Sequence, residues 1–178
     1  LYDYILTKEL GKKISIFKLI ENSWTINSLN NLIGFAGLVD VGLRYSYFSD
    51  EEQEGKTMKG ISKVMPYFMS GLSLLSFVSL LLLFSHDKNS TLKTYSFVLV
   101  LASLILPALL FLSTRKRLDY FGNLSKKKIL ALICTSLLDW LFVSGFFFYV
   151  GRVLGYNISF VNILPLYCIS ICIGIVSM

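Results

Sequence analysis

The residues best suited to chemistry lie in a stretch of eighteen, NSLNNLIGFAGLVDVGLR, which runs from Asn27 to Arg44. The stretch combines three asparagines, three glycines, an aspartate and an arginine, although its surroundings are strongly apolar. On a helix that turns by about 100° per residue, the polar and small residues share one half of the wheel. That half holds Asn27, Asn30, Asn31, Gly34, Gly37, Asp40, Val41 and Arg44.

Two interpretations of this polar face remain open. In the first, amides and a guanidinium line a cavity for a lipid headgroup, because the planar fork of an arginine can hold a phosphate through two hydrogen bonds. The predicted lipid-binding residues are then Asn27, Asn30, Asn31, Gly34, Gly37 and Arg44. In the second, the glycines permit close helix packing and the asparagines bond across helices. Arg44 would then pair with Asp40, four residues earlier, or extend its charge to the membrane surface.

A second candidate is Asp139, which lies in the stretch SLLDWLFVSGFFFYVGR and about halfway along the apolar run 129–150. A carboxylate at membrane depth is costly, so it indicates a functional site by default. The alternatives are an ion pair with a neighbouring helix, or a protonated and hydrogen-bonded acid. We predict no catalytic residue, cofactor or metal. Cys168 and Cys172 lie one helical turn apart, but His86, the one histidine, is distant in sequence, and ordinary packing explains the cysteines better.

Composition predicts an all-α integral membrane protein. The chain has 178 residues, of which 54% are hydrophobic and 16% charged, whereas soluble domains carry about 25% charged residues. Four apolar runs are long enough to cross a bilayer, and helices are the default because lipid offers backbone groups no partner. These predicted transmembrane helices are 64–85, 95–113, 129–150 and 160–178. Pro107 and Pro165 should kink their helices or mark local breaks.

The lysines and arginines predict the topology. The segment 115–128 holds six basic residues and one acid and should be cytoplasmic. The charged loop 50–63, with lysines at 56, 59 and 63, should lie on the cytoplasmic side as well. Lysines at 8, 12, 13 and 18 place the chain start on that side too, so 21–48 would enter and turn back as a re-entrant or broken helix pair. A single crossing that violates the charge rule is the competing interpretation. The lead-in, 1–20, would lie at the interface with Ile14, Ile16, Phe17 and Leu19 dipping into the bilayer.

Ser23 to Arg44, SW-x-x-NSLNNLIGFAGLVDVGLR, resembles the signature of the membrane domain of bacterial phosphatidylglycerol lysyltransferases, also called multiple peptide resistance factors. The stretches LYDYIL and KKISIFK are similar to the lead-in of that domain. SLLDWLFVSGFFFYVGRVLG is similar to its helix in which a tryptophan follows an acidic residue. Asp40 departs from the family pattern. The residues that match it are Asn30, Asn31, Gly34, Gly37, Gly42, Arg44 and Asp139.

The resemblance implies a flippase fragment in the bacterial plasma membrane. In such proteins a C-terminal synthase domain moves lysine from lysyl-tRNA to phosphatidylglycerol. The membrane domain flips the product to the outer leaflet, which gives resistance to cationic antimicrobial peptides. The implied partners are anionic and lysylated phospholipids, the synthase domain of the same parent, lysyl-tRNA through that domain only, and further copies in a homo-oligomer.

Two rival functions stay open from the sequence. The chain could be a membrane scaffold that anchors the synthase, or a flippase-like protein for another lipid with no synthase domain. We also expect the chain to be an internal fragment, since it starts at Leu1 instead of a methionine and stops at Met178 within an apolar run. A fragment without the catalytic domain should synthesise nothing.

Overall fold

The computed structural model describes residues 1–33, 38–49, 54–86, 90–114, 124–157 and 159–177. These residues form α-helices and a short 3₁₀ helix, and no strand occurs among them, which confirms the all-α prediction. The α-helices are α1 (Tyr2–Glu9), α2 (Ile16–Ile33), α3 (Leu38–Phe48), α4 (Glu54–Val64), α5 (Ser70–His86), α6 (Ser90–Thr94), α7 (Ser96–Ser103), α8 (Ile105–Thr114), α9 (Lys126–Val153) and α10 (Phe160–Ser177). The 3₁₀ helix, Met65–Met69, joins α4 to α5.

Three helical stretches are long and apolar enough to cross a membrane: Gly55–Ser85, Ser96–Ser113 and Lys126–Val153. They correspond to the first three predicted transmembrane runs, so the chain is a membrane protein. The apolar part of α10, Phe160–Ile175, is shorter than a full span, and its crossing stays a prediction. The chain divides into two compact units, which are described separately below.

The first unit comprises Leu1–Pro66 and Leu112–Leu132. Its core joins α1, α2, α3 and α4. The buried apolar side chains of this core are Leu6, Leu10, Leu19, Ile26, Phe48 and Ile61.

Helix α4 occupies a segment that the sequence predicted as a charged loop before position 64, and this prediction was wrong. Thr57, Ile61 and Val64 form one buried face of the helix. Gly60 lies on the same face, where an added Cβ atom would be 3.0 Å from a methyl carbon of Leu6. Charged residues occupy the other positions, so the composition of the segment gave no indication of this narrow buried face. One apolar stripe is nevertheless enough for a helix to pack.

The lead-in also differs from the expected interfacial segment. Leu19 belongs to the buried core, and Ile14 packs against it, so neither is free to enter the bilayer. Ile16 and Phe17 are exposed, and their membrane contact stays a prediction. Gly11 has φ of +69°, a conformation that favours glycine, and it allows the chain to turn sharply after α1.

The second unit comprises Tyr67–Phe111 and Ile133–Ser177. Its core is formed by α5, α7 and α10. Helix α5 places a buried serine at every third position, namely Ser70, Ser73, Ser76 and Ser79. Small side chains at this spacing let neighbouring helices approach closely, as is common in membrane helix bundles.

One of these serines explains how the bundle tolerates Pro107. A proline has no N–H group, so the Ser103 carbonyl four residues earlier lacks its helical donor. The Ser73 hydroxyl donates a hydrogen bond to that carbonyl at 2.9 Å and accepts one from the Leu106 amide at 3.0 Å. Helix α7 ends at Ser103 and α8 begins at Ile105, which confirms the predicted break. By contrast, α10 continues through Pro165.

Candidate functional site

The polar segment Asn27–Arg44 forms parts of two helices that contact each other, α2 and α3. This arrangement agrees with the predicted broken helix pair, while its passage into a membrane stays a prediction. The connection at 34–37 lies outside the described residues, and so do the predicted site residues Gly34 and Gly37. The side chain of Asn31 is likewise outside the described part.

Arg44 is buried in the first unit, with only 3% of its side chain exposed. Its Nε donates to Oδ1 of Asp3 at 2.6 Å, and its Nη2 donates to Oδ2 of the same carboxylate at 3.4 Å. Its Nη1 forms an ion pair with Asp40. The pairing between Asp40 and Arg44 that the sequence left open is therefore present, and Asp3 adds a second carboxylate.

Asp3 connects three helices at this point. It lies in the first turn of α1, bonds Arg44 of α3, and accepts a hydrogen bond from the Ser23 hydroxyl of α2 at 2.6 Å. Two carboxylates flank the one guanidinium of this cluster. The cluster therefore does not present a free cation to an anionic ligand. The hydrogen bonds and ion pairs of the cluster hold α2 and α3 against α1.

The two asparagines that the structure describes differ in their surroundings. Asn27 is exposed on α2. Asn30 is partly buried, and its Oδ1 atom is shielded from solvent without a hydrogen-bond partner in the described part of the chain. A buried amide oxygen without a partner is unfavourable. Of the two asparagines whose side chains the structure describes, Asn30 is thus the one with an unsatisfied acceptor.

Asp139 belongs to the second unit and lies midway along α9. Its side chain is exposed, and neither a hydrogen bond nor an ion pair is found for it among the described residues. The exposed rings of Phe142 and Phe146 follow it along the same side of the helix, at 76% and 66% exposure. The structure thus places a carboxylate on an outward, apolar surface of a candidate membrane span.

Contacts on the other side of α9 fix the orientation of Asp139. The Ser136 hydroxyl donates to the Phe68 carbonyl at 2.6 Å and accepts from the Gly71 amide at 2.7 Å. The indole of Trp140 donates to the same Phe68 carbonyl at 2.9 Å. These bonds satisfy backbone groups at the junction of the 3₁₀ helix and α5. They also turn Ser136 and Trp140 inward, so Asp139 borders the outward face.

No countercharge for Asp139 comes from the described residues of the second unit. Asp139 is the one acid among them, and the bases are Lys93, Arg152 and His86, whose side chain lies outside the described part. Arg152 donates to the Asn157 side chain at 2.6 Å and lies thirteen residues further along α9. At 1.5 Å per residue this separation is about 20 Å. Asp139 therefore needs a hydrogen-bonding or cationic partner from elsewhere if it is ionised in lipid.

Comparison with known proteins identifies relatives along almost the whole chain. The phosphatidylglycerol lysyltransferases of Staphylococcus aureus strains MRSA252 and COL are 28% and 27% identical to it, and each alignment covers 99% of this chain. The phosphatidylglycerol lysyltransferase of Staphylococcus haemolyticus strain JCSC1435 is 29% identical over 99% of the chain. The chain is a homologue of phosphatidylglycerol lysyltransferases. It spans 21% of the length of these relatives. No family model and no solved structure matches it.

The residues that carried the resemblance to phosphatidylglycerol lysyltransferases now have defined positions. Arg44 lies in a closed ion-pair cluster, and Asp139 is exposed in the other unit. Sequence reasoning missed Asp3, although an acid within the short apolar sequence LYDYIL could have drawn attention to it. It also missed Ser23 and Ser136, for which residue type alone gives no signal.

Cys168 and Cys172 take part in packing. Cys168 lies in the core of the second unit, and the Ser79 hydroxyl donates to its sulfur at 3.4 Å. Cys172 packs against the same core one turn later. Among the described residues, no group of three potential metal ligands occurs.

Proposed function

We propose that the chain is part of a multi-pass flippase domain that moves lysyl-phosphatidylglycerol to the outer leaflet of a bacterial plasma membrane. Homology to phosphatidylglycerol lysyltransferases supports the lipid class, and three candidate spans support the location. The observation that carries the proposal is Asp139. An exposed carboxylate that makes no hydrogen bond or ion pair with the described residues of its own unit, midway along an apolar span, is suited to receive a cation within the membrane.

The chemistry of the lipid explains the need for such a carboxylate. Lysine attached to phosphatidylglycerol supplies ammonium groups and converts an anionic headgroup into a cationic one. Moving an ammonium group through hydrocarbon is costly, and an opposite charge in a low dielectric offsets that cost. The same carboxylate would repel unmodified phosphatidylglycerol. Asp139 would thus favour the lysylated lipid over its precursor.

The polar segment has a more restricted role in this proposal. Asn27, Asn30 and Asn31, with Gly34 and Gly37, would accommodate the glycerol and ester groups. Arg44 could bind the lipid phosphate only if the phosphate replaced Asp40 as its ion-pair partner while the bonds to Asp3 remained. The side chain of Asp40 is 16% exposed. We therefore propose that Arg44 holds the helix pair α2 and α3 in place while it is paired with Asp40. It would bind the lipid phosphate only after the phosphate has replaced Asp40.

We further propose that the chain belongs to a longer parent with a synthase domain, which alone would contact lysyl-tRNA. The basic segments at 8–18 and 115–128 would face the cytoplasm. Export of the cationic lipid would lower the negative charge of the cell surface and so weaken binding of cationic antimicrobial peptides. The parent could also assemble as a homo-oligomer.

The closed cluster around Arg44 favours one alternative, a scaffold that only anchors the synthase. A guanidinium already held by two carboxylates is what a purely structural helix pair would contain. Mutations distinguish a scaffold from a flippase through two quantities, the total amount of lysylated lipid and its share in the outer leaflet. Loss of scaffolding lowers the total amount of lysylated lipid, whereas loss of flipping lowers only the share in the outer leaflet.

Replacing Asp139 with asparagine in the full-length parent tests the proposal. We expect translocation to slow by roughly 10- to 100-fold, because a hydrogen bond to a charged group contributes about 1.5–3 kcal/mol. The measurement is the fraction of lysyl-phosphatidylglycerol that an impermeant amine reagent labels from outside the cell, relative to the total. Asp139→Glu keeps the carboxylate and should restore much of the labelled fraction. An unchanged fraction in Asp139→Asn, at equal protein abundance, would contradict the proposal.

A further inference from the structure

The outward face of α9 carries an open groove next to Asp139, with a volume of about 470 Å³. Its lining residues all belong to α9, at the spacing of one helical face. They are Leu138, Leu141, Phe142, Gly145, Phe146 and Tyr149. Gly145 forms the floor, since an added Cβ atom there would meet nothing within 4 Å. The groove is therefore a notch where a glycine interrupts a row of large side chains.

The shape of the groove suits a hydrocarbon chain. From Leu138 to Tyr149 it extends for about 16 Å along the helix, at 1.5 Å per residue. Acyl chains in a bilayer run roughly parallel to a spanning helix, so a chain could lie lengthwise over Gly145. Its walls are apolar apart from the Tyr149 hydroxyl, as expected for contact with hydrocarbon.

We propose that this groove holds one acyl chain of a phospholipid whose ammonium headgroup pairs with Asp139. The inference rests on the proposed function and adds to it the place where the lipid tail binds. Charge complementarity selects the occupant, because Asp139 borders the groove and the described residues of its unit offer it no cation. A cationic phospholipid supplies the hydrocarbon and the countercharge in one molecule.

A second transmembrane helix fits this surface less well. Helices in membranes approach each other closely where small residues line both partners. Here the one small residue, Gly145, lies between Phe142 and Phe146, whose rings stand out at 76% and 66% exposure. These rings would hold another helix away from the floor of the groove. An apolar helix would also leave Asp139 buried without a partner, which is strongly unfavourable.

The substitution Gly145→Leu tests the groove, and Gly174→Leu is its matched control. Both glycines lie in apolar helices with open space at the Cβ position, and leucine favours a helix more than glycine does. The full-length parent would be placed in vesicles of phosphatidylglycerol and lysyl-phosphatidylglycerol. We expect Gly145→Leu to slow translocation of the lysylated lipid by roughly tenfold, as for a poor fit in an apolar pocket. Equal rates in the two variants would overturn the inference.

Photo-crosslinking separates failure of this inference from failure of the proposed function. The parent would carry p-benzoylphenylalanine in place of Phe142, in the same vesicles. We expect adducts with lysyl-phosphatidylglycerol in preference to phosphatidylglycerol, and loss of that preference when Asp139→Asn is added. Adducts with protein, or lipid adducts without the preference, would overturn the groove as a lipid site. A wild-type parent that shows the preferred adduct yet moves no lipid would instead refute the flippase.

Discussion

Replacing Arg44 with alanine is expected to destabilise the first unit by about 3–5 kcal/mol, the cost of breaking a buried ion pair by removing one partner. The loss should be large because Asp3 is almost fully buried and would lose the guanidinium that bonds it twice. Asp40 would lose its ion pair as well. Arg44→Lys should recover only part of the stability, since an ammonium group lacks the planar fork that bonds both carboxylates.

The fraction of purified full-length parent that remains monodisperse in detergent after heating measures this effect. Arg152→Ala is the matched control, because Arg152 is exposed and bonds only Asn157 among the described contacts. Exposed pairs contribute about 0–1 kcal/mol, so this control should melt close to wild type. If Arg44→Ala melted as the control does, the Asp3–Arg44–Asp40 cluster would not hold the unit together.

The second large effect is expected for Gly71→Ala in α5. A Cβ atom at this position would overlap the backbone of Ser136 and lie 2.6 Å from the Leu137 amide nitrogen. Backbone cannot rotate away as a side chain can, so α5 and α9 would have to separate. Overpacking of this kind costs about 1–3 kcal/mol or more. It would also stretch the bonds through which Ser136 binds Phe68 and Gly71.

The rate at which a thiol reagent labels Cys168 during heating reports on this unit, because Cys168 is fully buried in its core. Labelling should begin at a clearly lower temperature in Gly71→Ala than in wild type. Gly174→Ala makes the same change where a Cβ atom meets open space, and it should leave the labelling temperature almost unaltered. Identical labelling in both variants would show that α5 and α9 are not in close backbone contact.

Hydropathy predicted most helices of the second unit because lipid offers the backbone no hydrogen-bond partners. A long apolar run must satisfy its own N–H and C=O groups, and a helix does so at every residue. The same rule predicted the break at Pro107, where the missing N–H must be compensated. It could not predict that Ser73, thirty-four residues earlier, would do so, since the hydroxyl is brought there by tertiary packing.

The first unit was harder to predict because its helices pack against protein with only narrow apolar faces. Helix α4 looked like a charged loop because Lys56, Lys59 and Lys63 lie between its buried positions. The candidate site shows the same limit. Spacing within one helix predicted that Asp40 could pair with Arg44, whereas Asp3 is forty-one residues away from Arg44 and enters through contacts between helices.

Movement of lysyl-phosphatidylglycerol across a bilayer can be measured directly in vesicles that contain the purified full-length parent. The lipid would be confined at the start to the leaflet that faces the lumen, and an impermeant amine reagent would record its arrival outside. Flipping by this domain predicts that labelling rises well above the rate of protein-free vesicles and that Asp139→Asn removes most of the increase. Labelling at the protein-free rate, in vesicles where the parent is folded, would contradict the flippase and leave the scaffold as the function of the domain.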